Sequence, residues 1–101
     1  MIIVVKEAKN LKEKLFGLIG EKNPYSLMLK TRFGIHTFGL RFPIDVLILN
    51  NNDKVINIRK SLKPNNIFIW NPICSKVLEL EEGYVDKNKI KLNDQISLKF
   101  I

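Results

Sequence analysis

Three ionisable or charged side chains, His36, Arg41 and Asp45, lie within the otherwise apolar stretch GIHTFGLRFPIDVLIL at residues 34–49. The burial of an ionised carboxylate costs roughly several kcal/mol unless the group is paired or hydrogen-bonded. Asp45 must therefore either have partners inside the fold or face a cleft. In a cleft it would bind a substrate or act as a general base.

The structural interpretation of Asp45 is the one that we favour. It places the carboxylate in an ion pair with Arg41, Arg59 or His36, or lets it accept backbone N–H bonds at the bend that Pro43 imposes. The functional interpretation predicts instead that His36, Arg41, Asp45 and Arg59 converge on one ligand-binding cleft.

The other reactive side chains favour structural roles. His36 alternates with apolar neighbours, which is typical of a hydrogen-bonded core histidine, and no serine or cysteine lies nearby in sequence to serve as a nucleophile. Cys74 is the only cysteine, and its surroundings favour a small buried hydrophobic residue. One cysteine and one histidine cannot supply a usual zinc site, so we predict no metal and no cofactor.

Two carboxylates, Glu79 and Glu81, alternate with leucines in the segment KVLELE. Paired carboxylates could catalyse glycoside hydrolysis, but a half-solvated strand face explains the alternation better. We therefore expect both glutamates to face solvent.

The chain is basic, with a formal net charge of +7, and nucleic-acid binders share this property. However, 14 of the 17 basic residues are lysines, and they are scattered rather than grouped. The aromatic residues are mostly flanked by apolar residues, which favours core positions over base stacking. A solvated basic surface is the preferred interpretation, and a nucleic-acid-binding barrel is an alternative.

A length of 101 residues indicates a single domain over residues 1–101, and 46% apolar residues exclude disorder as the default. No apolar run is long enough to cross a membrane. The opening MIIVV is too short for the core of a signal peptide. We expect a cytoplasmic, monomeric protein that does not bind membranes.

The pattern predicts a mainly antiparallel fold of short strands with one helix near the N-terminus. Asn10 and Glu13 resemble a capping box, and leucines at helical spacing predict a helix over about 10–18. IDVLIL, apolar on both faces apart from Asp45, predicts a central strand covered on both sides. The run NNND at residues 50–53 predicts a hairpin turn.

The remaining strands are predicted at IIVVK, SLMLK, IHTFGL, KVINIRK, IFIW, KVLELE and QISLKFI, with a helical turn around EGYVDKN. In KVINIRK, we expect Val55, Asn57 and Arg59 to share a face. In the last strand, Ile96, Leu98 and Phe100 are expected to face inward. The fold class is α+β, mainly antiparallel, as a small curled sheet or a partly open barrel.

The chain resembles a family known as domain of unknown function 192 (uncharacterised protein family 0127). The matching segments are HTFGLRFPIDVLIL, an Asn/Asp turn with KVI, and then LKP, VLELEEG and IKLNDQI. The likeness runs from Ala8 to Ile96. Leu40 stands where the family commonly has methionine, and Asn93 where it has a turn glycine. The family has no established activity, so the resemblance implies a fold and not a function.

Three functional hypotheses follow. The first is a small-ligand or glycan-type binding module with a cleft around the strands of residues 36–59. The second is a small acid–base enzyme that uses Asp45 or His36. The third is a basic nucleic-acid-binding barrel.

Overall fold

Eight strands and one short helix occur in the residues that the computed structural model describes, namely 1–7, 26–29, 34–36, 42–69 and 76–101. The helix predicted over about 10–18 lies outside these residues. The helix α1 (Tyr84–Lys87) confirms the predicted turn around EGYVDKN. The strands are β1 (Ile2–Glu7), β2 (Ser26–Leu29), β3 (Gly34–His36), β4 (Ile44–Leu49), β5 (Val55–Leu62), β6 (Ile67–Ile69), β7 (Lys76–Glu81) and β8 (Ser97–Phe100).

Six of these strands form one mixed sheet in the order β5-β4-β7-β2-β1-β8, and β3 pairs with β6 in a separate two-stranded sheet. Three pairings in the large sheet are antiparallel, which confirms the mainly antiparallel prediction. β1 runs parallel to both β2 and β8.

The large sheet does not close into a barrel, which leaves an open mixed sheet as the observed form of the predicted fold. β8 ends the sheet beside β1, while β5 forms the opposite edge. In the described part of the chain the two edges are linked locally before β8, where the N–H of Val55 donates to the carbonyl of Asp94 and Lys54 bridges Gln95. Closure would need continuous strand pairing around the sheet, which this short link does not provide.

The strand β4 is buried along its whole length, as predicted for a central strand covered on both sides. It lies between β5 and β7 and is antiparallel to both. Because neighbouring residues of a strand point to opposite faces, β4 defines two buried faces of the sheet.

The face that carries Asp45, here called the Asp45 face, holds a hydrophobic core. Its strand residues include Leu47, Leu49, Leu78, Leu80, Met28 and Val5. Three residues that follow β7 pack against them, and these are Val85, Ile90 and Ile96. The helix α1 and the segment after it therefore cover this face.

The opposite face, here called the Glu79 face, is buried along the central strands β4, β7 and β2. Glu79 lies between Val46 of β4 and Leu27 of β2, and Arg59 lies beyond Val46 on the edge strand β5. The buried apolar residues on this face include Ile44, Val46, Ile48, Leu62, Val77 and Leu27.

The hairpin of β4 and β5 contains the predicted turn at residues 50–53. Asp53 has a φ of 59°, and the side-chain oxygen of Asn50 accepts the N–H groups of Asn52 and Lys54. A register shift follows, because Leu49 pairs with Val55 whereas Ile48 pairs with Asn57. The extra residue turns Val55 to the Asp45 face, so the prediction that Val55, Asn57 and Arg59 share one face is wrong.

The end of the chain also departs from expectation. Ile96 is buried and Leu98 packs partly against the core, but Phe100 is 51% exposed. Phe100 pairs with Val5 on the outermost strand of the sheet, where no further strand follows it among the described residues. Its predicted inward position is therefore wrong.

The turn between β7 and α1 yields the first prediction. Gly83 has a φ of 89°, and a Cβ added there would meet nothing within 4 Å. The substitution Gly83→Ala should therefore cost only the left-handed backbone conformation, about 1–2 kcal/mol of unfolding free energy in a urea melt. Glu82→Ala, at the exposed neighbouring position, is the control, and equal losses for the two variants would contradict this account.

Candidate functional site

The Asp45 carboxylate is 1% exposed and accepts three backbone hydrogen bonds. Its Oδ1 accepts the N–H of Ser61 at 3.0 Å. Its Oδ2 accepts the N–H groups of Gly83 at 3.1 Å and Val85 at 3.0 Å. A carboxylate that receives several backbone N–H groups is stabilised without a buried cation.

Two of these bonds come from the start of helix α1. The first N–H groups of a helix have no partner within the helix, and a side chain usually satisfies one of them. The N-cap residue is Gly83, which has no side chain for this role. Asp45 supplies the missing acceptor from a strand that is distant in sequence, so it fixes α1 to the start of β4.

The third bond comes from an irregularity in β5. The register shifts between the pairs of Ile44 and Val46, and Ser61 in this segment has a φ of 53°. Because the backbone is turned there, the N–H of Ser61 reaches Asp45 on the adjacent strand. The carboxylate thus joins β4, the bulge of β5 and the turn before α1.

An exposed ion pair also joins β5 to α1. The Lys60 ammonium lies 2.7 Å from Oδ1 of Asp86, and both side chains are mostly exposed. The hydrogen bond to Asp86, and then its charge, raise the pKa of Lys60 above its ordinary value. Such a pair contributes little to stability in water, so Asp45 remains the main link.

The structural role expected for Asp45 takes a different form from either predicted arrangement. The predicted N–H donors were placed at the Pro43 bend, whereas the observed donors belong to Ser61, Gly83 and Val85. Within the described ranges no cation forms an ion pair with Asp45. Three of its roughly four acceptor positions are used, which disfavours a role as a general base.

The sheet separates two of the four predicted site residues. Arg59 is directly opposite Val46, whereas Asp45, the neighbour of Val46, points to the other face. The Arg59 side chain is exposed on the edge strand β5. Asp45 and Arg59 therefore do not line the same surface of the sheet.

The other two predicted site residues are located only in part. The backbone of His36 pairs with Ile67 in the two-stranded sheet of β3 and β6. The side chain of His36 and the whole of Arg41 lie outside the described part of the chain. Their contribution to a ligand site stays a prediction.

Glu79 is the residue whose environment the sequence interpretation missed. It was expected to be half-solvated, but it is 0% exposed, whereas Glu81 is exposed as predicted. The direct neighbours of Glu79 on adjacent strands are Val46 and Leu27. A signal was present, because a strand apolar on both faces, such as IDVLIL, needs covered neighbours, and KVLELE is one of them.

The family of the chain is shown by comparison with known proteins. Residues 2–98 match the DUF192 family, which is described as "Uncharacterized ACR, COG1430". The chain therefore belongs to this family, as the sequence motifs predicted. A comparison with curated proteins returns no match.

Two solved structures share the fold. One is a protein of unknown function from Novosphingobium aromaticivorans, with a TM-score of 0.70 and 16% identity, covering 93% of this chain and 71% of that chain. The other is described as a "putative transcription regulator" from Sinorhizobium meliloti, with a TM-score of 0.71 and 14% identity, covering 93% and 78%. At this identity the likeness establishes the fold alone. In the described residues no helix is long and apolar enough to span a bilayer.

The link made by Asp45 predicts a large stability effect. Asp45→Ala leaves three N–H groups without their acceptor and should lower the unfolding free energy by about 3 kcal/mol or more in a urea melt. Asp45→Asn keeps the shape but sets an amide N–H₂ against a backbone donor, so it should also destabilise, by about 2 kcal/mol. Asp86→Asn, which changes an exposed carboxylate, is the matched control and should cost under about 0.5 kcal/mol. A loss below about 1 kcal/mol for Asp45→Ala would refute the structural role.

The phenol of Tyr84 gives a pH-dependent prediction. Partial burial raises the pKa of Tyr84 above its ordinary value of 10.0. Because the raised pKa belongs to the folded state, this contribution to stability is complete below pH 10 and is lost as the pH rises through the folded pKa. In a Tyr25→Phe background, tyrosinate absorbance should therefore titrate above pH 10 while the fold persists. A midpoint at or below that of free tyrosine would contradict the burial.

Proposed function

We propose that this protein is a small-ligand binding module whose site lies on the Glu79 face, around β4 and β5. The observation that carries the proposal is the complete burial of the Glu79 carboxylate on a central strand, in the same cross-strand row as the exposed Arg59. Buried charges are uncommon, and in binding sites they supply specificity.

The row of side chains runs from solvent to interior. Arg59 is exposed at the edge strand, Val46 lies between, and Glu79 is buried on β7. Two strand spacings separate Arg59 from Glu79, on the order of 10 Å between their backbones. A ligand on this face would therefore contact the exposed guanidinium of Arg59, with the Glu79 charge buried behind it.

This pair of groups suits a ligand that is rich in hydroxyl groups. The guanidinium of Arg59 donates to hydroxyl oxygens, and the buried negative charge of Glu79 on the same face disfavours anionic ligands. The combination supports the glycan-type ligand expected from the sequence. His36 and Arg41 stay proposed contributors, and we assign Asp45 to positioning, because it holds β4 and β5 from the opposite face.

A basic surface supports nucleic-acid binding as a second candidate. The chain carries a net charge of +7, and Lys87, Lys89 and Lys91 are exposed on and after α1. One structural neighbour is named as a "putative transcription regulator". Fluorescence titration with a DNA duplex at two salt concentrations tests this candidate, and absence of binding at low salt would eliminate it.

The ligand proposal predicts a selective effect of two substitutions. Neutral mono- and disaccharides are added one at a time to the whole chain, and ¹⁵N NMR monitors its amide signals. A sugar that binds should shift the signals of Val46 and Arg59. For a sugar that shifts these signals, Arg59→Gln should weaken binding by about tenfold, because a charged donor is lost. Lys60→Gln, on the adjacent exposed position, is the control and should leave binding unchanged.

Glu79→Gln tests the buried charge, with Glu81→Gln as the exposed control on the same strand. If Glu79→Gln unfolds, the amide shifts of the wild type and the Arg59→Gln titration still decide the matter. Binding that is equally affected by Arg59→Gln and Lys60→Gln, or no shift at millimolar sugar, would refute the proposal.

A further inference from the structure

The edge strand β8 presents unpaired backbone groups to one side. The N–H of Ser97 donates to the carbonyl of Met1 and the N–H of Ile101 to that of Val5, so every second residue of β8 faces β1. The residues between them, Leu98 and Phe100, direct their N–H and C=O groups away from the sheet. Since β8 is the last strand in the sheet that the described residues form, these groups form an open edge among those residues.

The surface around this edge is apolar to an unusual degree. Ile2, which pairs with Ser97, is 68% exposed, and Phe100 is 51% exposed on the other face. The partly exposed Val4 pairs with Lys99. An exposed edge with large apolar side chains on both faces favours the addition of another strand.

The charge of the edge selects the kind of strand that can be added. Lys99 is exposed beside Val4, and Lys6 follows on the same face of β1. The acidic residue of β1, Glu7, lies on the Asp45 face, because it pairs with Met28. The Glu79 face of these two strands thus carries two lysines and no carboxylate.

The same charges disfavour a second copy of this chain as the added strand. Both edge strands of the sheet, β5 and β8, contain basic residues and no acidic ones. Arg59 and Lys60 are exposed on β5, and Lys99 is exposed on β8. Pairing of any two of these edges would bring like charges together.

We propose that β8 is a docking edge for an extended, acidic segment of another protein, which adds as a strand next to β8. Its carboxylates lie on the Glu79 face, with one of them opposite Lys99. On the other face its apolar residues contact Leu98 and Phe100. The hydrogen bonds come from the backbone of Leu98 and Phe100. This surface is separate from the proposed ligand site at Arg59 and Glu79 and does not depend on it.

The test uses the whole chain and two synthetic probes, a ten-residue capped peptide that alternates valine with glutamate and the same peptide with lysine in place of glutamate. The acidic peptide should shift the ¹⁵N NMR signals of Leu98 and Phe100 and slow the hydrogen exchange of these two amides. The basic peptide should do neither.

Two substitutions separate strand addition from simple charge attraction. Phe100→Pro removes an outward N–H and leaves the hydrogen bonds to β1 in place. It should weaken the binding of the acidic peptide by at least about tenfold. Lys99→Glu should weaken the binding of the acidic peptide and allow the basic peptide to bind. Lys87→Glu, the same charge change on α1, is the matched control and should have little effect.

Several results would overturn the proposal. One is that the amide signals of Leu98 and Phe100 do not shift at a saturating concentration of the acidic peptide. Another is that Lys99→Glu and Lys87→Glu weaken the binding of this peptide equally. Concentration-dependent self-association abolished by Phe100→Pro would assign the edge to a second copy instead. A circular dichroism melt of each variant checks that the fold is retained, and Ser97→Ala serves as a folded β8 variant with the outward donors intact.

Discussion

The fold depends on one buried carboxylate that neutral donors satisfy. Asp45 accepts the N–H groups of Ser61, Gly83 and Val85, which lie in two segments that are distant from Asp45 in sequence. Through Gly83 and Val85 it anchors helix α1, which brings Val85 into the core of the Asp45 face. Because three backbone donors stabilise the charge, no arginine or lysine has to be buried with it. Arg59 can therefore remain exposed on the opposite face of the sheet.

Two buried acids serve different purposes because adjacent residues of a strand point to opposite faces. Asp45 pairs across β4 and β7 with Leu80, whereas Glu79 pairs with Val46. One residue of offset thus places one carboxylate against the helix and the other on the face that carries Arg59. A sheet covered on both faces allows this division, since each face buries its own polar group. The structural acid and the proposed binding acid are not interchangeable.

The positive charge of the chain acquires a physical interpretation at the sheet edges. Exposed basic side chains occupy both edge strands, where Lys residues are known to prevent edge-to-edge association. At the β8 edge, Lys99 accompanies the exposed Phe100 and the exposed Ile2 of β1, which a purely protective edge does not require. In our proposal the same lysines that repel a second copy attract an acidic strand. Composition bias alone explains the number of lysines, but not their position beside apolar edge residues.

Features that rest on neighbouring residues could be predicted from the sequence. The central strand at IDVLIL, the turn at residues 50–53 and the helical turn near Tyr84 follow from local pattern and turn chemistry. The family could be recognised too, because its motifs are short and ordered along the chain. Other features needed the tertiary structure. The donors to Asp45 lie 16, 38 and 40 residues away, a register shift in β5 separates Val55 from Asn57, and β8 runs parallel to β1. Alternation along a strand determines which residues share a face, but not which strand lies beside it or what covers that face, and the burial of Glu79 depends on both.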